Sequence, residues 1–212
     1  MLLGGSTKHT DSYYDQELLA TFECLLTIVA PLLILYLRGQ WPLRVTVLCV
    51  VTLPILWYLT YSPLHELSHV IGTYLVGGKV TYVKLSPRFW AGEFSRAWIS
   101  TEGIETSWQQ FISTGFPYIL DVVCAVIGYW FLRGRPHARP FMMGLAFLLL
   151  CLRPAFDLLC ETVAYHLGGI GDIYHIANTV GSPATWGLAI TGIGLCCLAI
   201  VGVLRTPWNA AT

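Results

Sequence analysis

Five apolar runs, each close to the roughly 20 residues that cross the hydrocarbon core of a bilayer, limit what this chain can fold into. Backbone in lipid must satisfy its own hydrogen bonds, so each run is read as a helix. The first is Leu18 to Leu37, with Glu23 its only charge, and it stops at Arg38-Gly39-Gln40. The second starts after Arg44 and continues past Pro63, so Val45 to Leu75 reads as one long helix that can kink at the proline and ends at Gly77-Gly78. The others are about Trp108 to Leu132, Phe141 to about His166, and Ala184 to Leu204. With 55% hydrophobic and 11% charged residues, the composition lies well outside that of a soluble domain. The expected fold class is an all-α polytopic membrane protein with about five transmembrane helices, an integral multi-pass protein of the lipid bilayer.

Between the second and third runs the pattern changes. Val80-Thr81-Tyr82-Val83-Lys84-Leu85 alternates with β-branched and aromatic residues, Pro87 breaks it, and Glu93 to Ile99 resumes it after Gly92. A small membrane-associated β-hairpin is expected there. A short polar helix, Asp172 to Val180, follows the glycines at 168, 169 and 171. Residues 1–17 read as a polar tail, 18–205 as a single membrane-embedded domain and 206–212 as a C-terminal tail. Arg38, Arg44, Arg133, Arg135, Arg139 and Arg205 fall on one side of a five-span arrangement, which the positive-inside rule assigns to the cytoplasm. Twelve basic residues balance twelve acidic ones and no basic run stands out, which excludes a nucleic-acid partner. The seven cysteines have no C-x-x-C pair and read as small buried hydrophobes. Trp98 and Trp108, with other tryptophans near span ends, read as an interfacial belt.

Within the second run lies Ser62-Pro63-Leu64-His65-Glu66-Leu67-Ser68-His69. Residues four apart on a helix share a face, so the imidazoles of His65 and His69 can reach one metal ion, with Glu66 beside them. Two neutral nitrogen ligands and a carboxylate able to deprotonate water are what a metallohydrolase needs. Ionisable groups inside a membrane helix are costly, which makes this cluster a functional candidate rather than an incidental one.

Two histidines hold a metal poorly, so a third ligand must come from elsewhere, and Asp157, Glu161, Asp172 and His175 are the candidates. Asp157 lies at a suitable depth, but Arg153 one turn earlier offers it a salt bridge. Asp172 has no such neighbour and opens a helix, where an aspartate serves as an N-cap or, here, as a ligand. Asp121, also within a span, can orient a ligand histidine from outside the metal shell or bond to a neighbouring helix. His175 is a further candidate for that outer shell.

These residues resemble a family. His65-Glu66-Leu67-Ser68-His69 followed by Gly77-Gly78-Lys79-Val80 is similar to the site-2 protease family of intramembrane zinc metalloproteases, in particular its short bacterial members. That family has a His-Glu-x-Gly-His helix, a Gly-Gly-x-Val entry to a hairpin, a Gly/Pro-containing helix and a later aspartate. Here Ser68 stands for the glycine, Gly115-Phe116-Pro117 matches the Gly/Pro helix, and Gly171-Asp172-Ile173 resembles the later aspartate segment. Longer members' Asn-Pro-Asp-Gly-like motif is absent, although Arg153-Pro154-Ala155-Phe156-Asp157 faintly resembles it, so Asp157 stays an alternative metal ligand.

The resemblance implies a Zn2+ enzyme of the bacterial cell membrane that hydrolyses peptide bonds within or next to the transmembrane segments of protein or peptide substrates. It implies zinc held by His65, His69 and Asp172, with Glu66 as the catalytic acid-base residue. An exposed edge in Val80 to Leu85 is expected either to hold the substrate as an added strand or to plug the site against lipid. A catalytically silent membrane scaffold of the same family is the alternative, and a metal transporter ranks after it.

Overall fold

Each apolar run forms a helix, as lipid demands of a backbone with no water to bond to. The computed structural model describes residues 19, 21–85, 98–134 and 139–207. Among them five helices are long and apolar enough to cross a membrane: α1 (Thr21–Arg38), α2 (Leu43–Leu75), α3 (Ser107–Arg133), α4 (Pro140–His166) and, after the short α5 (Asp172–Val180), α6 (Ser182–Arg205). The architecture is all-α and polytopic, with one two-stranded sheet. The expected tails, apart from Thr206 and Pro207, lie outside the described residues.

Prolines shape the long helices. A π-helical turn, Leu25–Val29, precedes Ala30-Pro31 in α1, and another, Leu148–Leu152, precedes Arg153-Pro154 in α4. Proline gives no N–H and its ring presses on the carbonyl four residues back, so the turn before it widens. In α2, Pro54 and Pro63 are both absorbed within one continuous 33-residue helix, about 50 Å long. That exceeds the roughly 30 Å hydrocarbon thickness, so α2 tilts or extends beyond it.

Gly77 ends α2 with φ +79°, a conformation other residues rarely adopt, and turns the chain into β1 (Lys79–Lys84). β1 pairs antiparallel with β2 (Trp98–Glu102), Lys79 opposite Glu102 and Lys84 opposite Trp98. The hairpin is therefore present, its described second strand taking in the expected Trp98 and Ile99 and running on to Glu102; Glu93 to Ala97 lies outside the described residues. A capping box starts α3: Thr106 Oγ accepts from the Gln109 N–H, and Gln109 Oε1 accepts from the Thr106 N–H. Gln109 Nε2 then donates to the Val76 carbonyl, tying the start of α3 to the end of α2. One turn deeper the two helices come so close at Gly72 that a Cβ there would lie 2.6 Å from Phe116 Cβ.

The central helix is α4, whose most apolar window is 67% buried against 22–39% for the other four. Through Phe147, Leu152 and Phe156 it packs with Leu32, Tyr36, Leu53 and Trp57 of α1 and α2. Through Ala155 and Leu158 it joins a second core with Tyr118 of α3, Ile173 and Ile176 of α5, and Cys196 of α6. The outward faces remain apolar, as a bilayer solvent requires. At one end of the bundle the Tyr36 hydroxyl donates to the Pro140 carbonyl, and Arg133 and Arg205 border one cavity. The hairpin and the start of α5 are at the other end, beside the histidines.

Candidate metal centre

The i, i+4 spacing of α2 stacks Tyr61, His65 and His69 on one face. Each imidazole is held by its Nδ1. His69 Nδ1 donates to the backbone carbonyl of Ser113 at 3.0 Å, a bond that the close crossing of α2 and α3 at Gly72 allows. His65 Nδ1 donates to Asp157 Oδ2 at 2.8 Å, and Tyr61 donates its hydroxyl to the other oxygen of that carboxylate at 3.0 Å. A carbonyl and a carboxylate only accept, so in the neutral rings both protons sit on Nδ1 and both Nε2 atoms carry bare lone pairs.

Those lone pairs converge. The two Nε2 atoms are 3.1 Å apart, and Asp172 Oδ2 lies 3.1 Å from His65 Nε2 and 2.8 Å from His69 Nε2. Tyr118 donates to the same Asp172 oxygen at 3.1 Å. Gly171, not Asp172, occupies the N-cap of α5, and no side chain caps that helix, so the carboxylate of its first residue is free to turn to the histidines. Burial would raise the pKa of Asp172, but with no metal present hydrogen bonds from protonated His65 and His69 outweigh burial and hold it well below the usual carboxylate range. The negative group also sits at the positive end of the α5 dipole.

Three electron-pair donors facing one another repel unless a cation joins them, a proton shared between two of them or a metal ion shared by all three. Tetrahedral ligands about 2.0–2.1 Å from a metal lie roughly 3.3 Å from each other. The observed 2.8–3.1 Å separations are close to that spacing, and His65, His69 and Asp172 form a group that can hold a metal ion. Their side chains are 12%, 10% and 23% exposed, so the centre is screened without being sealed. It opens into a cavity of about 420 Å3 that Glu66 borders, together with Trp98, Ile99 and Thr101 of β2, Thr114 of α3 and Glu161 of α4.

The other residues singled out in the sequence have different places. Asp157 is not in the converging group: it meets the nitrogen of His65 that points away from Nε2, so it orients the ring instead of serving as a ligand. Its expected salt bridge is long, 3.9 Å to Arg153 Nη1, because Arg153 turns its other nitrogen to Asp121 Oδ1 at 2.5 Å. Asp121 is therefore bonded to a neighbouring helix and touches no histidine. His175 is exposed and borders a separate cavity with Glu102, Gln110 and Thr114, apart from the converging donor group. Glu161 borders the main cavity without joining the donor group, and its carboxylate packs so tightly on Gly171 that a Cβ there would overlap it. β2, not β1, borders the cavity, which makes Trp98 part of its wall as well as an interfacial residue.

Several contributors were missed by reading residue types. Tyr61 shares the four-residue spacing of the histidines, a signal that was present in the sequence. The Ser113 carbonyl and the Tyr118 hydroxyl have no such signature, since a helix crossing brings them in. Comparison with models of known families, with curated proteins and with solved structures finds no match to this chain.

Proposed function

We infer that this chain is an intramembrane zinc metalloprotease resembling the site-2 family, acting on transmembrane proteins or peptides, with the bacterial cell membrane as its setting. One observation carries the reading: both Nε2 lone pairs and the Asp172 carboxylate converge beside Glu66 in a cavity walled on one side by a β-strand. Two imidazoles and one carboxylate are a catalytic zinc set that keeps a position open. When bound, zinc supplies Lewis acidity, which polarises a scissile carbonyl and makes water acidic enough to lose a proton near neutral pH.

The chain's own residues do the rest. Asp157 and the Ser113 carbonyl fix both rings in the tautomer that presents Nε2. Glu66 takes a proton from the attacking water and returns it to the leaving amine nitrogen, so that one carboxylate serves as base and then acid. A helical substrate hides its carbonyls, so it must unwind locally, and pairing as an added strand along β2 would hold it extended beside the cavity. The polar ligands cluster at one end of the bundle, which favours a hydrolytic centre over a metal path through both leaflets.

The test is Glu66→Gln, in purified protein supplied with a pool of single-span membrane peptides. Zinc is expected at one per chain in both proteins, with new peptide termini only in the wild type. Zinc without cleavage in both would leave the scaffold reading standing, and cleavage in both would remove Glu66 from the mechanism.

A further inference from the structure

The end of the bundle opposite the metal centre carries charge of one kind. The described segments that reach it, 38–44, 133–134, 139–140 and 205–207, hold Arg38, Arg44, Arg133, Arg139 and Arg205, five of the chain's 12 basic residues and none of its 12 acidic ones. All five are arginine, whose planar fork meets a phosphate through two parallel hydrogen bonds.

Two of them converge on a cavity. Arg133 is in the last turn of α3 and Arg205 in the last turn of α6. With Tyr129, Gly202, Thr206 and Pro207 they border a space of about 470 Å3. Arg133 donates to the Tyr129 hydroxyl and lies 5.1 Å over its ring, while Tyr129 rests on α6 where Gly202 leaves room that a Cβ would fill. This anchors one guanidinium against Tyr129 at a cavity that Arg205 also borders. No acid among the described residues borders it, and the sequence of 133–140 and 205–212 contains none.

The cavity continues into an apolar groove of about 400 Å3 that shares Tyr129, Gly202 and Arg205 and is walled by Val126, Trp130, Leu195 and Leu198. The groove lies on the outer faces of two spans, with Trp130 67% and Leu198 69% exposed. A cationic mouth leading into an apolar membrane-facing channel has the two-part chemistry of a phospholipid, phosphate at the arginines and acyl chain along the helices. A positive-inside bias accounts for arginine at this end. It does not account for two arginines from different helices facing one cavity that runs on as a groove.

We propose that α3 and α6 form a binding site for an anionic phospholipid, its headgroup phosphate held by Arg133 and Arg205. The probes are a phosphatidylglycerol, a phosphatidylcholine of the same chains, and glycerol 3-phosphate, each titrated into delipidated full-length protein and read by native mass spectrometry. Phosphatidylglycerol is expected to bind about 30-fold more tightly to the wild type than to Arg133→Gln/Arg205→Gln, at roughly the attraction each basic residue adds near an anionic headgroup. Arg38→Gln/Arg44→Gln, which removes equal charge from the same end, should keep the wild-type affinity, and Arg133→Lys/Arg205→Lys should fall between, which also shows that the pocket still folds. Equal loss in the two glutamine variants would make the effect diffuse charge and overturn the site. Displacement of the lipid by glycerol 3-phosphate would make it a free-phosphate site, and equal binding of phosphatidylcholine would remove the charge recognition; either overturns the proposal.

Discussion

His65 is held from both sides of its ring, and the two contacts have different work to do. Nε2 faces His69 and Asp172, whereas Nδ1 meets Asp157, a carboxylate with no exposed surface. Replacing that acceptor lets the ring rotate and lets its proton move to Nε2, where it blocks a metal. Asp157→Asn is therefore expected to weaken metal binding about 10- to 100-fold while keeping one site per chain at saturation, whereas Asp172→Ala loses the site; competition with a chromogenic chelator measures both. Unchanged affinity in Asp157→Asn would mean that something else orients the ring. The histidines and Glu66 were legible in the sequence because helical spacing and charge in apolar surroundings are local properties, whereas spacing left Asp172 balanced between cap and ligand and only the family resemblance singled it out. The task of Asp157 was not legible. Along α4 its nearest charge is Arg153, but packing against α3 brings Asp121 to 2.5 Å from that arginine and leaves Asp157 at 3.9 Å.

At the level of elements, the close crossing of α2 and α3 sets the floor of the site. His69 leans on the Ser113 carbonyl, and one turn further along each helix Gly72 admits Phe116. A side chain at 72 has to push α3 away and carry that carbonyl with it. Gly72→Ala should cost about 1–3 kcal/mol in stability and lower metal affinity as well. Gly187→Ala in α6, where a Cβ meets nothing within 4 Å, should be neutral or slightly stabilising. Thermal unfolding and metal titration of the two variants provide the comparison, and equal behaviour would show that the crossing has slack. The spans themselves were readable from apolar length alone, since lipid leaves the backbone no other option. Which strand of the hairpin walls the cavity was not readable. Both strands alternate, and only the way the sheet sits on α2 and α3 puts Ile99 and Thr101, not Val80 and Tyr82, beside Glu66.

For the molecule as a whole, the donor set joins parts of the chain about a hundred residues apart. One part is rigid, a 33-residue helix crossed by another. The other is α5, nine residues long and too short to be stable alone, which Ile173 and Ile176 anchor in the core while Asp172 faces the histidines. A metal at 1,000 times its dissociation constant stabilises the form that binds it by about 4 kcal/mol, and that stabilisation falls where the site is made. Stripping the metal leaves only shared protons to join Asp172 to the histidines, a weaker link than a metal ion, and the short element moves away from the long one more cheaply than either histidine can. Amide hydrogen exchange at 168–174 is therefore expected to quicken at least about tenfold without metal, with no change where Tyr36 meets Pro140 at the far end. Asp172→Ala should show the same fast exchange even with metal present, because the link is missing in either case. Exchange that rises evenly through all the helices would mean that the metal supports the whole bundle rather than docking α5. No change at 168–174 would mean that Ile173 and Ile176 hold the aspartate in place unaided, and that the site is formed before any metal arrives.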